Sequence, residues 1–350
     1  MPSYYDLVTP LPPSTGVVAD AITTYLEQPH KTLHTPVLEG MLAATRRTFV
    51  RQLMAPRMNR TGYESTTTYT HPCARKAWHA LHGTPRPPTQ SRTLLKFLLG
   101  DVVELAVMGI AQLAGLELGR NNEDLTIRGR EGQLIAVHPD GLLSQAGQLP
   151  VNVEIKSCDS RTFDRWLSAG GPSNDWGYRT QASVEIQAWR EAGLAVDTTA
   201  FVAVSTGSRQ GSVAEWRLPY EPALVEAWHD RRAAATGPTM PARPYDAVPE
   251  MLFIKGKTLE AATLAELERP PTPRYDKHQR IHGWDVPTGR TLVPTVPCGY
   301  CDYRESCWPG ATMSVQSGSP IWTVNRTASI PMLTPLMDEG ITLGCNHDNA

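Results

Sequence analysis

The sequence predicts an α/β core in which helices flank a mixed sheet. Two observations carry that reading: a long amphipathic helical stretch over residues 94–118, and beyond it a switch to short β-branched runs bounded by glycine and proline, followed by helix, strand, strand and helix. Taken in order, residues 1–69 form an N-terminal extension with helical patterns over 17–26 and 37–54 and no chemical signature. Pro72 sets a boundary before a short helix that opens near Cys73 and carries Arg75 and Lys76. The 94–118 helix is interrupted by Lys96, Asp101, Glu104 and Gln112, which argues against a membrane span. Strands follow over 125–128, 133–137 and 151–156, then a helix over 174–192, strands over 198–205 and 213–218, and a helix over 221–235, so the core runs over about 70–240. From 241 to 310 proline recurs, and the excursion delivers a cysteine cluster. Residues 311–350 read as a Ser-, Thr- and Pro-rich polar tail with no assignable element.

Composition limits the partners. Lys plus Arg total 33 against 35 Asp plus Glu, so a nucleic-acid site has to be a local basic patch. The first 20 residues contain no Lys or Arg and no apolar run, so a cytoplasmic, reducing location is expected, where clustered cysteines suggest a metal rather than disulfides. The segment Gly207-Ser208-Arg209-Gln210-Gly211 lacks the Gly-Lys-Ser/Thr ending of a phosphate-cradling loop and reads as a hairpin turn.

The chemistry concentrates at His138-Pro139-Asp140-Gly141 and Val151-Asn152-Val153-Glu154-Ile155-Lys156-Ser157. On a strand, Val153 and Ile155 face the core while Glu154 and Lys156 emerge on the other side. Asp140, at the end of the preceding strand, meets Glu154 across a hairpin, and two convergent carboxylates suit Mg²⁺ or Mn²⁺. Lys156 beside them orients or deprotonates the attacking water. The competing reading is a surface charge pair and an ordinary turn.

Cys298, Cys301 and Cys307 have Cys-x2-Cys-x5-Cys spacing, one thiolate short of a four-ligand site. Cys73 is the best fourth candidate, ahead of Cys158 and Cys345, because it opens a helix beside cations. Four-cysteine zinc and an iron-sulfur cluster both remain open at this point. His79 and His82 read as surface histidines.

Together, Asp140, Glu154-Ile155-Lys156, Cys73 and the Cys298, Cys301, Cys307 triplet resemble the RecB-like exonucleases of the PD-(D/E)XK superfamily that carry an iron-sulfur cluster, in particular the CRISPR-associated RecB-like exonucleases and their phage-encoded relatives. The resemblance covers about residues 70–310. It implies a restriction-endonuclease-like core, a 4Fe-4S cluster on Cys73, Cys298, Cys301 and Cys307, and a metal-dependent DNA exonuclease acting on single-stranded DNA or DNA ends. The settings it implies are phage recombination, repair or CRISPR-related processing, with recombination or CRISPR adaptation proteins as partners. Within the resemblance, Mg²⁺ or Mn²⁺ falls to Asp140, Glu154, the carbonyl of Ile155 and Glu104. Gly100-Asp101-Val102-Val103-Glu104 resembles the family's first motif, with Val103 where the family has histidine. Tyr178-Arg179-Thr180-Gln181 resembles its glutamine motif, with Glu185 where the family has tyrosine and Gln181 as a site residue. Arg75, Lys76, Arg161, Arg165 and Arg179 are expected to track the DNA backbone, with Tyr178 and Trp176 stacking on bases. The alternative is a non-catalytic DNA-binding or complex-assembly protein that keeps the fold, for which Val103 is the argument.

Overall fold

The computed structural model describes residues 16–27, 35–53, 64–85, 91–119, 125–144, 147–207, 212–256, 271–294, 298–316 and 319–325. Cys345 and most of the turn at 207–211 lie outside them. The chain divides into two compact units, the first made of Met1–Pro72, Ala80–His82 and Pro88–Ala233, the second of Cys73–His79, Gly83–Pro87 and Ala234–Ala350.

The first unit is a mixed α/β layer structure. Its helices are α1 (Val17–Glu27), α2 (Thr35–Leu53), α3 (Thr66–Thr70), the end of α4 (Ala74–Leu81), α5 (Ser91–Leu113), α6 (Ser160–Ala169), α7 (Tyr178–Glu191) and most of α8 (Pro222–Thr236). Its strands are β1 (Glu117–Gly119), β2 (Leu125–Arg128), β3 (Leu134–Val137), β4 (Gly141–Ser144), β5 (Val151–Cys158), β6 (Thr198–Ser205) and β7 (Val213–Pro219). The main sheet has the order β1-β4-β5-β6-β7, with β5 and β6 parallel and the other neighbours antiparallel. The predicted strands at 125–128 and 133–137 do not join it; they pair with each other as β2 and β3 in a separate ribbon. The long helix ends at Leu113, earlier than its apolar pattern suggests, because Gly115 turns the chain at φ 89° into β1.

Alternation explains the layers. On β5 and β6, Val153, Ile155, Ala200 and Val202 face one side, where they join Val18 and Ile22 of α1 and Val107, Met108 and Ala111 of α5. Phe201 and Ala203 face the other side, against Phe163 and Trp166 of α6 and Ala182 of α7. The central strands are therefore covered on both faces, and each fully buried aliphatic side chain contributes roughly 1.5–3 kcal/mol. Glu215 of β7 closes the layer by accepting the Val18 and Ala19 amides at the start of α1, at 2.7 and 3.1 Å.

The second unit contains a sheet of order β11-β12-β10-β8, built from β8 (Val248–Lys255), β10 (Ile281–Val293), β11 (Thr312–Gln316) and β12 (Ser319–Asn325), with β9 (Thr272–Tyr275) also on β10. The start of the expected polar tail is thus a β-hairpin. Its Val324 packs with Val293 and Trp308 in a small apolar cluster, which gives the hairpin an anchor.

Candidate active site

Asp140 lies in the turn between β3 and β4, directly before the β4–β5 pairing of Gly141 with Val153, so it stands across from Glu154 as expected. Its Oδ2 accepts the Ile155 amide at 2.7 Å. Asn152, Glu154 and Lys156 alternate along β5 on the face opposite the Val153 and Ile155 core. Glu154 is not a surface residue; it is fully buried, and its Oε1 pairs with the Lys156 ammonium. Beyond that ammonium, neither Glu154 oxygen has a hydrogen-bond partner among the described residues.

Helix α7 supplies the opposite wall. Asn174 caps it, its Oδ1 accepting the Arg179 and Thr180 amides at 3.1 Å each. Gly177 starts it at φ 81°, where a Cβ would strike the Thr70 carbonyl, so glycine is required twice over. The helix then presents Gln181 and, one turn on, Glu185. Glu185 is buried and accepts Gln181 Nε2 at 2.9 Å and Asn152 Nδ2 at 2.8 Å. Asn152 is in turn held by the Trp189 indole at 2.9 Å.

Three carboxylates and one ammonium thus converge, Glu154 and Glu185 buried, Asp140 and Lys156 partly exposed. Burial, then the charges of Asp140 and Glu185, holds Glu154 well above the usual carboxylate range. Burial also raises Asp140, against the Lys156 charge and the Ile155 amide. Glu185 is pushed up to about 7, by burial first and Asp140 second. For Lys156 burial acts against the ammonium, but Glu154 and Asp140 outweigh it and keep it protonated. With all four ionised, negative charge exceeds positive by two, an arrangement a divalent cation offsets.

On α5, Asp101 is the acid whose charge reaches Asp140. Glu104 lies one turn further along, half-buried. Val103 packs against the apolar cluster of α1, α5 and β5, which accounts for an aliphatic side chain where the resembling family has histidine.

Three of the expected DNA contacts, Arg75, Arg179 and Tyr178, are placed elsewhere. Arg75 is buried, its guanidinium against Met240, and Arg179 is buried and paired with Glu221 at 2.8 Å. Neither presents charge to a phosphate backbone. Lys76 lies in the field of the Cys73 and Cys301 thiols. The Tyr178 ring packs edge-on to Trp166 at 5.6 Å and tilted on Phe201 at 5.7 Å, so it is part of the core rather than a platform for bases. Trp176 is half-buried with its ring toward His71. Arg161 and Arg165 on α6 are exposed, as a backbone-tracking role needs.

In the second unit, Cys73 precedes α4, Cys298 opens the 3-10 turn Cys298–Tyr300, and Cys307 ends α9 (Arg304–Cys307). Burial pushes the Cys73 thiol up to about 11, and the Cys301 and Cys298 charges add to it. His79 is buried rather than on the surface. Its ring stacks on Tyr303 at 5.2 Å, its Nδ1 meets Thr84 Oγ1 at 2.9 Å and its Nε2 lies 3.5 Å from Cys307 Sγ. Cys158 sits at the end of β5 in the first unit, apart from this set in the chain's division. Among the described residues no group of three or more His, Cys, Asp or Glu side chains has the spacing of a bound metal ion.

No family model matches the chain, and no curated protein does. A solved structure described as "Crystal structure of SSO0001" is similar at 12% identity, over 56% of this chain and 86% of that one, with a TM-score of 0.35. So low a score carries no argument about fold or function. Among the described residues no helix is long and apolar enough to cross a membrane.

Proposed function

We propose that the chain is a divalent-metal-dependent deoxyribonuclease with a PD-(D/E)XK core, acting as an exonuclease on single-stranded DNA or DNA ends. The observation that carries this reading is Glu154: a fully buried carboxylate beside Asp140 and Glu185 whose oxygens have, among the described residues, no hydrogen-bond donor other than Lys156. Buried acids left short of donors are expensive, and a hard divalent cation satisfies them. Asp140, Glu154 and the Ile155 carbonyl would hold Mg²⁺ or Mn²⁺, with an α5 acid, Asp101 or Glu104, beside them. Such an ion supplies Lewis-acid polarisation of the phosphate and a more acidic water. The residues of the chain do the rest. Lys156, kept protonated by its carboxylate neighbours, neutralises charge developing on the phosphate and orients the nucleophile. The Ile155 amide fixes the Asp140 carboxylate through Oδ2.

The cysteines suit a 4Fe-4S cluster on Cys73, Cys298, Cys301 and Cys307 as a structural staple. The Cys301 and Cys298 charges both raise the Cys73 thiol, and Cys301 raises Cys298, a crowding of thiols that a bound cation relieves. The non-catalytic alternative rests on Val103, and digestion of end-labelled DNA with Mn²⁺ and a chelator control separates the two.

A further inference from the structure

Asn152 fixes the polarity of a run of hydrogen bonds behind the site. An indole N–H only donates, so the Trp189 Nε1 contact at 2.9 Å identifies the Asn152 atom it meets as the carbonyl oxygen. The other end of that amide is then the NH₂, which donates to Glu185 Oε2 at 2.8 Å and to Thr199 Oγ1 at 3.0 Å. Asn152, Thr199, Glu185 and Trp189 are all buried, so none of them turns over without leaving a buried polar atom unsatisfied. Glu185 accepts at both oxygens, Oε2 from Asn152 and Oε1 from the Gln181 NH₂ at 2.9 Å. Gln181 differs from the others in being only half-buried. With its NH₂ held by Glu185, the end of its amide left for a ligand is the carbonyl oxygen.

We propose that Glu185 is a positioning residue that locks the Gln181 amide so that it offers its carbonyl oxygen, not its NH₂, to a divalent cation of the site. This rests on the nuclease reading above and deepens it. A carbonyl oxygen is a hard ligand for Mg²⁺ or Mn²⁺, whereas an NH₂ group repels them. The lock also accounts for an acid buried on α7 at this place, since only a carboxylate accepts from the Asn152 and Gln181 amides at once.

The isosteric change Glu185→Gln tests it. Asn152 cannot reverse, so the introduced amide has to face it with oxygen and face Gln181 with NH₂. Gln181 then turns over to accept and presents its own NH₂ to the cation. Mn²⁺ binding is measured on the full chain without DNA, from the electron paramagnetic resonance signal of free Mn²⁺. Glu185→Gln and Gln181→Leu are each expected to raise the Kd about tenfold, and the double variant about tenfold rather than a hundredfold, because both remove one contact. Losses that multiply in the double variant overturn the lock, since Glu185 then acts by charge alone. Unchanged affinity in Gln181→Leu overturns it whatever Glu185→Gln does, and half-exposed Gln181 tolerates the change without unfolding. Wild-type protein that binds no Mn²⁺ overturns the nuclease reading and the lock together.

Discussion

Glu154 joins stability to function through one carboxylate. Its burial beside Asp140 and Glu185 costs the metal-free protein free energy that a neutral side chain of the same shape does not. Glu154→Gln is therefore expected to abolish hydrolysis while raising metal-free stability by about 1–2 kcal/mol, read as a higher melting temperature in chelator. An unchanged or lower melting temperature would show that the site carries no such strain. Glu185 adds a pH dependence of defined sign. Its folded-state pKa is raised from 4.5 to about 7, so folding favours the protonated acid. The stability it contributes is complete below pH 4.5 and is lost as pH rises through about 7. Metal-free protein is expected to melt at a lower temperature at pH 8 than at pH 5, with a shallower slope in Glu185→Gln. A slope that Glu185→Gln leaves unaltered would place the titration elsewhere.

At the scale of elements, α5 and α7 meet β5 from opposite faces. Val103 sits on the apolar side of that arrangement, in the cluster with Val107, Val153 and Ile155. Restoring the histidine of the resembling family by Val103→His buries a polar ring there and is expected to cost about 2 kcal/mol, without lowering the Mn²⁺ concentration for half-maximal activity. A lower midpoint would mean that the helix turns this position toward Asp140. The same contrast explains how far the sequence could be read. Strands β5 and β6 and the pairing of β7 were legible because β-branched runs bounded by glycine and proline have few alternatives. The facing of Asp140 and Glu154 was expected across a hairpin from the 133–137 strand; it comes instead from β4, an unassigned strand that begins directly after Asp140 and pairs with β5. Membership of β2 and β3 in a separate ribbon was not legible, since pairing partners are set by the whole fold and not by local period. Nor was the burial of Arg75 and Arg179, because a cation reads as surface until its partner, Met240 or Glu221, is brought to it from far along the chain. Asn152 left a signal that went unused: a polar residue two positions before Glu154, on the same face of an apolar strand.

At the scale of the whole molecule, each unit carries its own chemistry. The thiols of Cys73, Cys298, Cys301 and Cys307 belong to the second unit, the carboxylates to the first. Protein purified without oxygen is expected to be brown with about four iron atoms per chain, and Cys298→Ser to lose iron and soluble protein together. Colourless protein with one tightly bound zinc would replace the cluster by a zinc site and leave the active-site proposal untouched. Digestion of end-labelled single- and double-stranded DNA by wild-type, Asp140→Ala, Glu154→Ala and Lys156→Ala protein tests the nuclease site. Wild-type protein is expected to degrade labelled DNA with Mn²⁺ and not with chelator. Each variant should be inactive while retaining the iron absorbance, and the triple variant should be no worse than the worst single one, as for groups that act as a unit. Normal turnover by Glu154→Ala, or none by the wild type with any divalent cation, would contradict it.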